Sequence, residues 1–280
     1  MLVGAWQDRL VMNISHKFPV LCDLDGVVWL AHEPIDGSAQ AVERLRAHGH
    51  RVLFVTNNSS ATVADQEAAL LAVGIPAVGD VITSAMAGAH LLSAGERVLM
   101  CGGPGLAEAI AKVGAISVSH DDVEGGAQVD TVIVGFHRHF DYEIMRRAST
   151  AIRQGARLIG TNDDATYPTP NGPIPGGGSI LAAISTAAGI DPIVAGKPHQ
   201  AMADVVRAYE PSVGSDTVMV GDRPSTDGGF AATLGCRFAL VRSGVTPTGV
   251  MPTDEPSWFA GTTLDIDVPS LAGVADYLLK

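Results

Sequence analysis

Two aspartates, Asp23 and Asp25, stand two positions apart directly after a short apolar run of the sequence. A third aspartate, Asp222, follows another apolar run much later in the chain. If these runs are parallel strands, their carboxylates converge, and converging carboxylates repel one another unless a cation lies among them. No His or Cys has a matching spacing, so the all-oxygen set predicts a hard ion such as Mg²⁺. Because Mg²⁺ in such sites often binds a phosphate oxygen as well, the implied substrate is a phosphate ester.

Two further polar clusters also follow apolar runs and supply what a phosphate group needs. Thr56, Asn57 and Asn58 offer hydroxyl, amide and backbone donors, and Lys197 brings a positive charge. Taken singly, these residues indicate little, because Asx-type turns and surface lysines are common. Their shared position after predicted strands favours one functional site.

A sheet has to position these clusters. Short β-branched runs alternate with longer alanine-rich segments of helical period, which predicts an α/β fold with a parallel sheet covered by helices. The predicted strands are 19–23, 51–56, 98–101, 131–136, 157–160, 192–195, 217–220 and 237–241. The clearest predicted helices are 38–47, 141–154 and 199–209. The segment 168–178 is predicted to be a loop, because neither helix nor strand tolerates its density of Pro and Gly.

The stretch between the second and third polar clusters has strand and helix signals of its own. We therefore predict that residues 84–190 form an inserted domain and that residues 1–83 and 191–280 form the catalytic core.

Two glycine-rich segments imitate nucleotide-binding loops. In GGPGLAEA, residues 102–109, Glu108 stands where a dinucleotide fingerprint needs its third glycine, so a tight structural turn is the better interpretation. In PGGGS, residues 175–179, no Lys follows as a phosphate-binding loop requires. We interpret that segment as an interdomain hinge or the start of a helix.

Composition excludes several classes of protein. The formal net charge of −12 repels a phosphate backbone, so no nucleic acid polymer is expected as a partner. No apolar stretch is long enough for a membrane span, and residues 1–20 hold no apolar run of signal-peptide length. The three cysteines are far apart and predict neither a disulfide framework nor a zinc site. We expect a cytoplasmic protein.

The segments DLDGVVW, VTNNSS, AGKP and VGDRPSTDGGFA resemble the four ordered motifs of the haloacid dehalogenase superfamily, in its phosphatase branch. The insertion and the phrase GTNDDATYPTPNGPIPGGGS resemble its NagD-like group, which holds nucleotide, pyridoxal phosphate, phosphoglycolate and glycerol phosphate phosphatases. This resemblance implies a Rossmann-like core with an inserted α/β cap domain between the second and third motifs.

The resemblance also implies roles for the acidic residues. The Asp23 carboxylate would attack phosphorus and form an aspartyl-phosphate, and Asp25 would protonate the leaving oxygen and then deprotonate the hydrolytic water. Asp23, the carbonyl of Asp25, and Asp222 would bind Mg²⁺, and Asp227 would orient water on the metal.

The other motif residues would bind the substrate. Thr56, Asn57 and the adjacent Asn58 would grip the phosphoryl oxygens, and Lys197 would neutralise charge between nucleophile and phosphate. Tyr167 aligns with a cap residue that contacts substrate in some relatives and that is His in a pyridoxal phosphate phosphatase.

The predicted function is therefore magnesium-dependent hydrolysis of a small phosphorylated metabolite, and we favour glycerol 3-phosphate or a similar polyol or sugar phosphate. Nucleotides, phosphoglycolate and pyridoxal phosphate are the alternative substrates. Transfer of the phosphoryl group to an alcohol is an alternative reaction, and a non-catalytic binding protein is a remote one. The resemblance further implies a possible homodimer that pairs through the cap.

Overall fold

The structure is a computed structural model that describes residues 17–30, 32–167, 169, 171–246, 248–249 and 263–280. Its strands are β1 (Val20–Cys22), β2 (Trp29–Leu30), β3 (Glu33–Pro34), β4 (Val52–Thr56), β5 (Val81–Thr83), β6 (Arg97–Cys101), β7 (Ile116–Val118), β8 (Thr131–Val134), β9 (Arg157–Gly160), β10 (Thr166–Tyr167), β11 (Ile174–Pro175), β12 (Ile193–Val194), β13 (Val218–Gly221), β14 (Arg237–Val241) and β15 (Ile266–Val268). Its α-helices are α1 (Ser38–Ala47), α2 (Val63–Ala72), α3 (Ser84–His90), α4 (Pro104–Lys112), α5 (His120–Glu124), α6 (Tyr142–Arg153), α7 (Gly177–Ala188), α8 (Gln200–Tyr209), α9 (Gly229–Leu234) and α10 (Leu271–Leu278). A π-helical turn, Pro224–Gly228, leads into α9.

The first sheet has six parallel strands in the order β15-β14-β13-β1-β4-β5. From β1 the chain adds β4 and then β5 on one side of the sheet, and later β13, β14 and β15 on the other side. The strand order therefore reverses between β1 and β13. Ligands of open α/β sheets bind at such a reversal, beyond the carboxyl ends of the strands.

Both faces of the first sheet are buried. Val20 and Cys22 of β1 belong to one apolar core and Leu21 to the other. Helices α1, α2 and α10 cover the first face, and α3, α8 and α9 cover the second. This two-sided burial explains why the strands are continuously apolar rather than alternating with polar residues.

The second sheet has five parallel strands in the order β12-β9-β8-β6-β7. Helices α6 and α7 pack on one face, and α3 and α4 pack on the other. Helix α3 contributes Ala87 to the core of the first sheet and Ala85 and Ala89 to that of the second, so it belongs to both layers. The predicted α/β fold class is confirmed.

The domain division at residues 84–190 stays a prediction, but the pairing of β12 bears on its second boundary. Strand β12 pairs with β9, so residues 193–194 belong to the second sheet although they lie outside the predicted insertion. Lys197 therefore reaches the first sheet's ligand edge from a strand of the second sheet.

The eight predicted strands and the three helices predicted with bounds agree with the structure to within two residues at each end. Strands β5, β7 and β15, each of three residues, were not predicted. The prediction of loop for the whole of 168–178 was wrong at its end, because Ile174 and Pro175 form β11 and α7 begins at Gly177. Glycine suits the first turn of this helix, because close contacts with neighbouring backbone leave no room for a Cβ. Residues 168 and 170 lie outside the described part.

None of the helices in the described part of the chain is long and apolar enough to span a bilayer.

Candidate active site

One cavity of about 70 Å³ lies beyond the carboxyl ends of β1, β4 and β13, and residues that follow strands of both sheets line it. The nine residues predicted from the sequence all line this cavity: Asp23, Asp25, Thr56, Asn57, Asn58, Tyr167, Lys197, Asp222 and Asp227. The structure thus brings together residues as far apart in the chain as Asp23 and Asp227.

A cluster of three carboxylates lies at the base of the cavity. Asp23, Asp222 and Asp227 each offer an oxygen within 4.8 Å of the others, and this is the one such group among the residues described here. The Nζ atom of Lys197 donates hydrogen bonds to Oδ1 of Asp23 and to Oδ1 of Asp227, both at 2.7 Å. The lysine is fully buried, with 1% of its side chain exposed.

Backbone contacts hold Asp23 and Asp222 in place. The backbone N–H of Asp23 donates to the Val220 carbonyl at 2.9 Å, which continues the β1–β13 pairing by one residue. Asp222 accepts a hydrogen bond from the Val245 N–H at 2.6 Å. A Cβ at Gly26, whose φ is +85°, would come within 2.3 Å of the Asp222 carboxylate, so glycine is required there by both conformation and space.

Burial and mutual repulsion shift the pKa values of these groups. Burial raises the pKa of Asp23 well above its usual range, with Asp227 and Asp222 adding to the effect of burial and Lys197 opposing it. Burial also raises the pKa of Asp222 to about 7, again with Asp227 adding to it. Burial by itself lowers the pKa of Lys197, but Asp227 and Asp23 outweigh this effect and its pKa is raised. The cluster thus holds more buried negative charge than its lysine balances, and its oxygen-only donors fit a hard divalent cation.

The loop after β4 is tied to the segment that carries Lys197. The Oδ1 atom of Asn57 accepts from the Lys197 N–H at 2.8 Å, and its Nδ2 donates to the Lys197 carbonyl at 3.0 Å. The Asn57 side chain is therefore engaged within the protein. The hydroxyl of Thr56 accepts from the Asn58 N–H at 3.0 Å, which folds the loop back at the cavity wall.

Tyr167 forms part of the wall from β10, which pairs with β11 in a separate two-stranded sheet. Its ring stacks on that of Phe136, with 5.6 Å between centroids and 14° between planes. Burial raises the pKa of Tyr167. Its hydroxyl is hydrogen-bonded to Asp25, and that carboxylate raises the pKa further. The hydroxyl therefore stays protonated beside Asp25.

Several cavity residues were missed by the sequence analysis. Asn162, Asp164 and Phe136 line the wall on the side of the second sheet, and Arg223 lines it next to Asp222. Asp164 and Arg223 form an ion pair with 3.0 Å between Oδ1 and Nη1. Both lie in segments quoted for the family resemblance, but a role could not be assigned because their contact joins loops of two different sheets.

The glycine-rich segments have structural roles in the fold. The first turn of α4 packs on the loop after β4, where a Cβ at Gly105 would lie 2.0 Å from the Ala61 carbonyl oxygen. This agrees with a tight structural turn. Gly176 and Gly177 line the cavity at the start of α7, which agrees with the start of a helix that was predicted for this segment.

Comparisons with known proteins agree with this geometry. Residues 20–116 match the family model described as haloacid dehalogenase-like hydrolase, and residues 194–265 match one described as HAD-hydrolase-like. The chain is 38% identical to a D-glycerol 3-phosphate phosphatase of Mycobacterium tuberculosis over 81% of its own length and 63% of that protein's length. It is 36% identical to an acid sugar phosphatase of Staphylococcus haemolyticus, over 81% of the chain and 85% of the relative.

A solved structure has the same fold. The glycerol phosphate phosphatase of Mycobacterium tuberculosis in complex with magnesium superposes with a TM-score of 0.80 at 33% identity, covering 92% of this chain and 76% of that one. The family models, the relatives and the solved structure all indicate the same family of enzymes. The chain belongs to the haloacid dehalogenase-like hydrolases, as a phosphatase of their NagD-like group.

Proposed function

We propose that this phosphatase hydrolyses a small polyol or sugar phosphate through a covalent intermediate on Asp23, with Mg²⁺ as its cofactor. The observation that carries the proposal is the difference in exposure within the carboxylate cluster. The Asp23 side chain is 15% exposed to the cavity, whereas that of Asp227 is 1% exposed, and Asp222 is also buried. Asp23 is thus the member of the cluster that a substrate can reach, and the other two are placed to hold a cation.

The metal would be held by Asp23 and Asp222, by the backbone carbonyl of Asp25, and by Asp227 through water. When bound, Mg²⁺ supplies positive charge that neutralises the phosphoryl oxygens during transfer. That the glycerol phosphate phosphatase of M. tuberculosis was solved in complex with magnesium supports Mg²⁺ as the ion. The donor set supports it independently, since it contains carboxylate oxygens and neither His nor Cys.

In the first half of the reaction, an oxygen of Asp23 forms a bond to phosphorus while the ester bond breaks. Asp25 gives a proton to the leaving oxygen, so the alcohol departs neutral. The ammonium of Lys197, 2.7 Å from Asp23, opposes the effect of burial on that carboxylate and keeps it available as a nucleophile. In the second half, Asp25 takes a proton from water, the water oxygen attacks phosphorus, and Asp23 and phosphate are released.

The lining of the cavity favours a small, uncharged leaving group. The cavity volume is small, about 70 Å³, which supports a small phosphorylated metabolite as the substrate. The loop after β9 and strand β10 contribute uncharged polar groups, those of Asn162, Thr166 and Tyr167, besides Asp164, which is paired with Arg223. Of the two cations in the lining, Lys197 is paired with Asp23 and Asp227, and Arg223 with Asp164. No cation is therefore left for an anionic leaving group among the described lining residues.

Phosphate release from a panel of phosphate esters tests this proposal. The panel holds glycerol 3-phosphate, hexose phosphates, phosphoglycolate, nucleoside monophosphates and pyridoxal phosphate, each with Mg²⁺ and with chelator. We expect the polyol and sugar esters to have the highest kcat/KM, activity to require Mg²⁺, and Asp23→Asn to abolish turnover without unfolding the protein. Turnover by Asp23→Asn would disprove the covalent mechanism, and a preference for nucleotides or phosphoglycolate would disprove the substrate class.

We also propose a cytoplasmic location and a homodimer that forms through the second sheet. The free thiols of Cys22, Cys101 and Cys236 support a reducing compartment. Exposed isoleucines at both edges of the second sheet, Ile116 on β7 and Ile193 on β12, support the pairing. Light scattering on the eluted peak of a size-exclusion column distinguishes dimer from monomer.

A further inference from the structure

Asp164 joins three separate loops at the cavity. It lies between β9 and β10, on the second sheet, and 19% of its side chain is exposed. Its Oδ2 accepts a hydrogen bond from Asn57 Nδ2 at 2.8 Å, and its Oδ1 accepts one from Arg223 Nη1 at 3.0 Å. Asn57 follows β4 and Arg223 follows β13, so one carboxylate of the second sheet contacts two ligand loops of the first.

Asn57 transmits this contact to the proposed nucleophile. Its amide bonds both the N–H and the carbonyl of Lys197, and Lys197 Nζ lies 2.7 Å from Asp23. Asp164 gives Asn57 Nδ2 a second acceptor beside the Lys197 carbonyl, so three hydrogen bonds hold the amide. Without that acceptor only the two bonds to the Lys197 backbone hold the amide, and Asn57 and that backbone are free to shift together.

Arg223 has a competing attraction that Asp164 counters. The Arg223 guanidinium pairs with Asp164 at 3.0 Å and lines the same cavity as Asp222, Asp227 and Asp23. The last three form the carboxylate cluster. A guanidinium released by Asp164 would be drawn towards that cluster and would compete with a bound cation.

We propose that Asp164 is a positioning residue of this site. It holds Asn57 against the Lys197 backbone and holds the Arg223 guanidinium away from the metal-binding carboxylates. The inference rests on the proposed function for its kinetic consequences, whereas its consequence for Mg²⁺ binding can be measured without any substrate.

A purely structural role for Asp164 makes a different prediction, because the same loop is attached at other points. The Thr161 hydroxyl donates to Ser59 Oγ at 2.9 Å, and Asn162 Nδ2 donates to the Asn57 carbonyl at 2.8 Å. These bonds keep the loop in place when the Asp164 carboxylate is removed. A structural role would change stability and leave kcat and Mg²⁺ affinity unchanged.

The first test compares Asp164→Asn with Asp163→Asn, which makes the same charge change one residue away. The Asp163 side chain is 53% exposed and bonds His199 outside the cavity. We expect Asp164→Asn to lower kcat by about 10- to 100-fold with a smaller change in KM, and to weaken Mg²⁺ binding measured by calorimetry on the free protein. Asp163→Asn should keep both within about twofold of the wild type. Wild-type kcat and Mg²⁺ affinity in Asp164→Asn would overturn the proposal.

A double-mutant cycle with Arg223→Gln tests the second contact. If Asp164 restrains Arg223, Asp164→Asn should weaken Mg²⁺ binding at least about threefold more in the natural background than in the Arg223→Gln background. Equal weakening in both backgrounds would overturn the restraint on Arg223. If Asp164→Asn does not fold, Asp164→Glu keeps the charge but misplaces it, and the same comparison applies. If the wild type releases no phosphate from any ester, the proposed function fails, while the Mg²⁺ affinities still decide the role of Asp164.

Discussion

Lys197 is the residue whose chemistry depends most on its surroundings. A lysine buried to this degree is unstable as an ammonium unless carboxylates surround it, and here Asp23 and Asp227 do so at 2.7 Å. The reverse also holds, because the two carboxylates need the lysine. Removing one partner of a buried ion pair leaves the other charge without compensation, which costs more than the intact pair contributes.

Lys197→Ala should therefore affect both catalysis and stability. We expect kcat to fall by at least about 100-fold, since the charge beside the nucleophile is lost. We also expect the free energy of unfolding without metal to fall by about 3–5 kcal/mol, because Asp23 and Asp227 lose their counterion. Steady-state kinetics and urea unfolding measure the two effects, with Lys112→Ala on the exposed end of α4 as the control. A kcat near that of the wild type would contradict the role of Lys197.

The carboxylate cluster predicts an opposite effect on stability for Asp222→Asn. In the metal-free protein, three acidic groups lie within 4.8 Å of one another, and removing one relieves their repulsion. We expect the chelated variant to melt about 2–4 °C above the chelated wild type, and Mg²⁺ to stop raising its melting temperature. Thermal melts with Mg²⁺ and with chelator check this. A Mg²⁺-dependent rise equal to that of the wild type would remove Asp222 from the metal site.

At the scale of elements, one side chain connects the amino ends of strands β6, β8 and β9 of the second sheet. Glu96, just before β6, accepts hydrogen bonds from the Thr131 hydroxyl at the start of β8 and from Arg157 at the start of β9, and its other oxygen accepts from the Ser93 N–H at 2.8 Å. Burial alone would raise the pKa of Glu96, but these hydrogen bonds outweigh it and hold the pKa below its usual value. The ionised form is thus favoured by folding.

The linkage between this pKa and stability gives a pH dependence. A carboxyl whose pKa is lowered by folding stabilises the protein above its unfolded pKa, and that contribution is lost as pH falls through the folded pKa. Glu96→Gln should lower the free energy of unfolding by about 1–3 kcal/mol at neutral pH. The difference from the wild type should shrink as the pH is lowered below the usual pKa of a glutamate. Urea unfolding of both proteins across this range tests the prediction, and a difference independent of pH would contradict it.

At the scale of the whole molecule, one cavity depends on contact between two sheets. The first turn of α4 in the second layer packs directly on the loop after β4 in the first, with the Gly105 N–H donating to the Ser60 carbonyl at 2.9 Å. The N–H of Val63 at the start of α2 bonds Glu108 of α4 at 3.1 Å. The loop that carries Asn57 and Asn58 is thus held from both layers.

Gly105→Ala should disturb this contact, since the added methyl would lie 2.0 Å from the Ala61 carbonyl oxygen. We expect a loss of about 1–3 kcal/mol in the free energy of unfolding, and a fall in kcat/KM because the substrate-binding loop has to shift. Gly214→Ala is the matched control, since the nearest atom to its Cβ would be 4.0 Å away. Unchanged kinetics in Gly105→Ala would show that the loop after β4 does not depend on this packing.

The sequence was sufficient for the long strands, and it indicated nine residues that line one cavity in the structure. Buried parallel strands such as β4 and β14 are continuously apolar and end in polar turns, so both their existence and their ends are readable. Three-residue strands such as β5 and β15 carry too few residues to show a pattern. The acidic residues after β1 and β13 were identifiable because their chemistry is unusual for residues that follow apolar runs.

What the sequence could not show are contacts made across the two layers. The pairing of Asp164 with Asn57 and Arg223 joins residues from three loops, and the neighbours of each in the chain reveal nothing about it. The place of β12 in the second sheet is likewise a consequence of tertiary pairing. Local sequence specifies hydrophobic period and reactive side chains, because both act over a few residues. The shape and charge of the cavity arise from long-range packing, and only folding brings those groups within a few ångströms of one another.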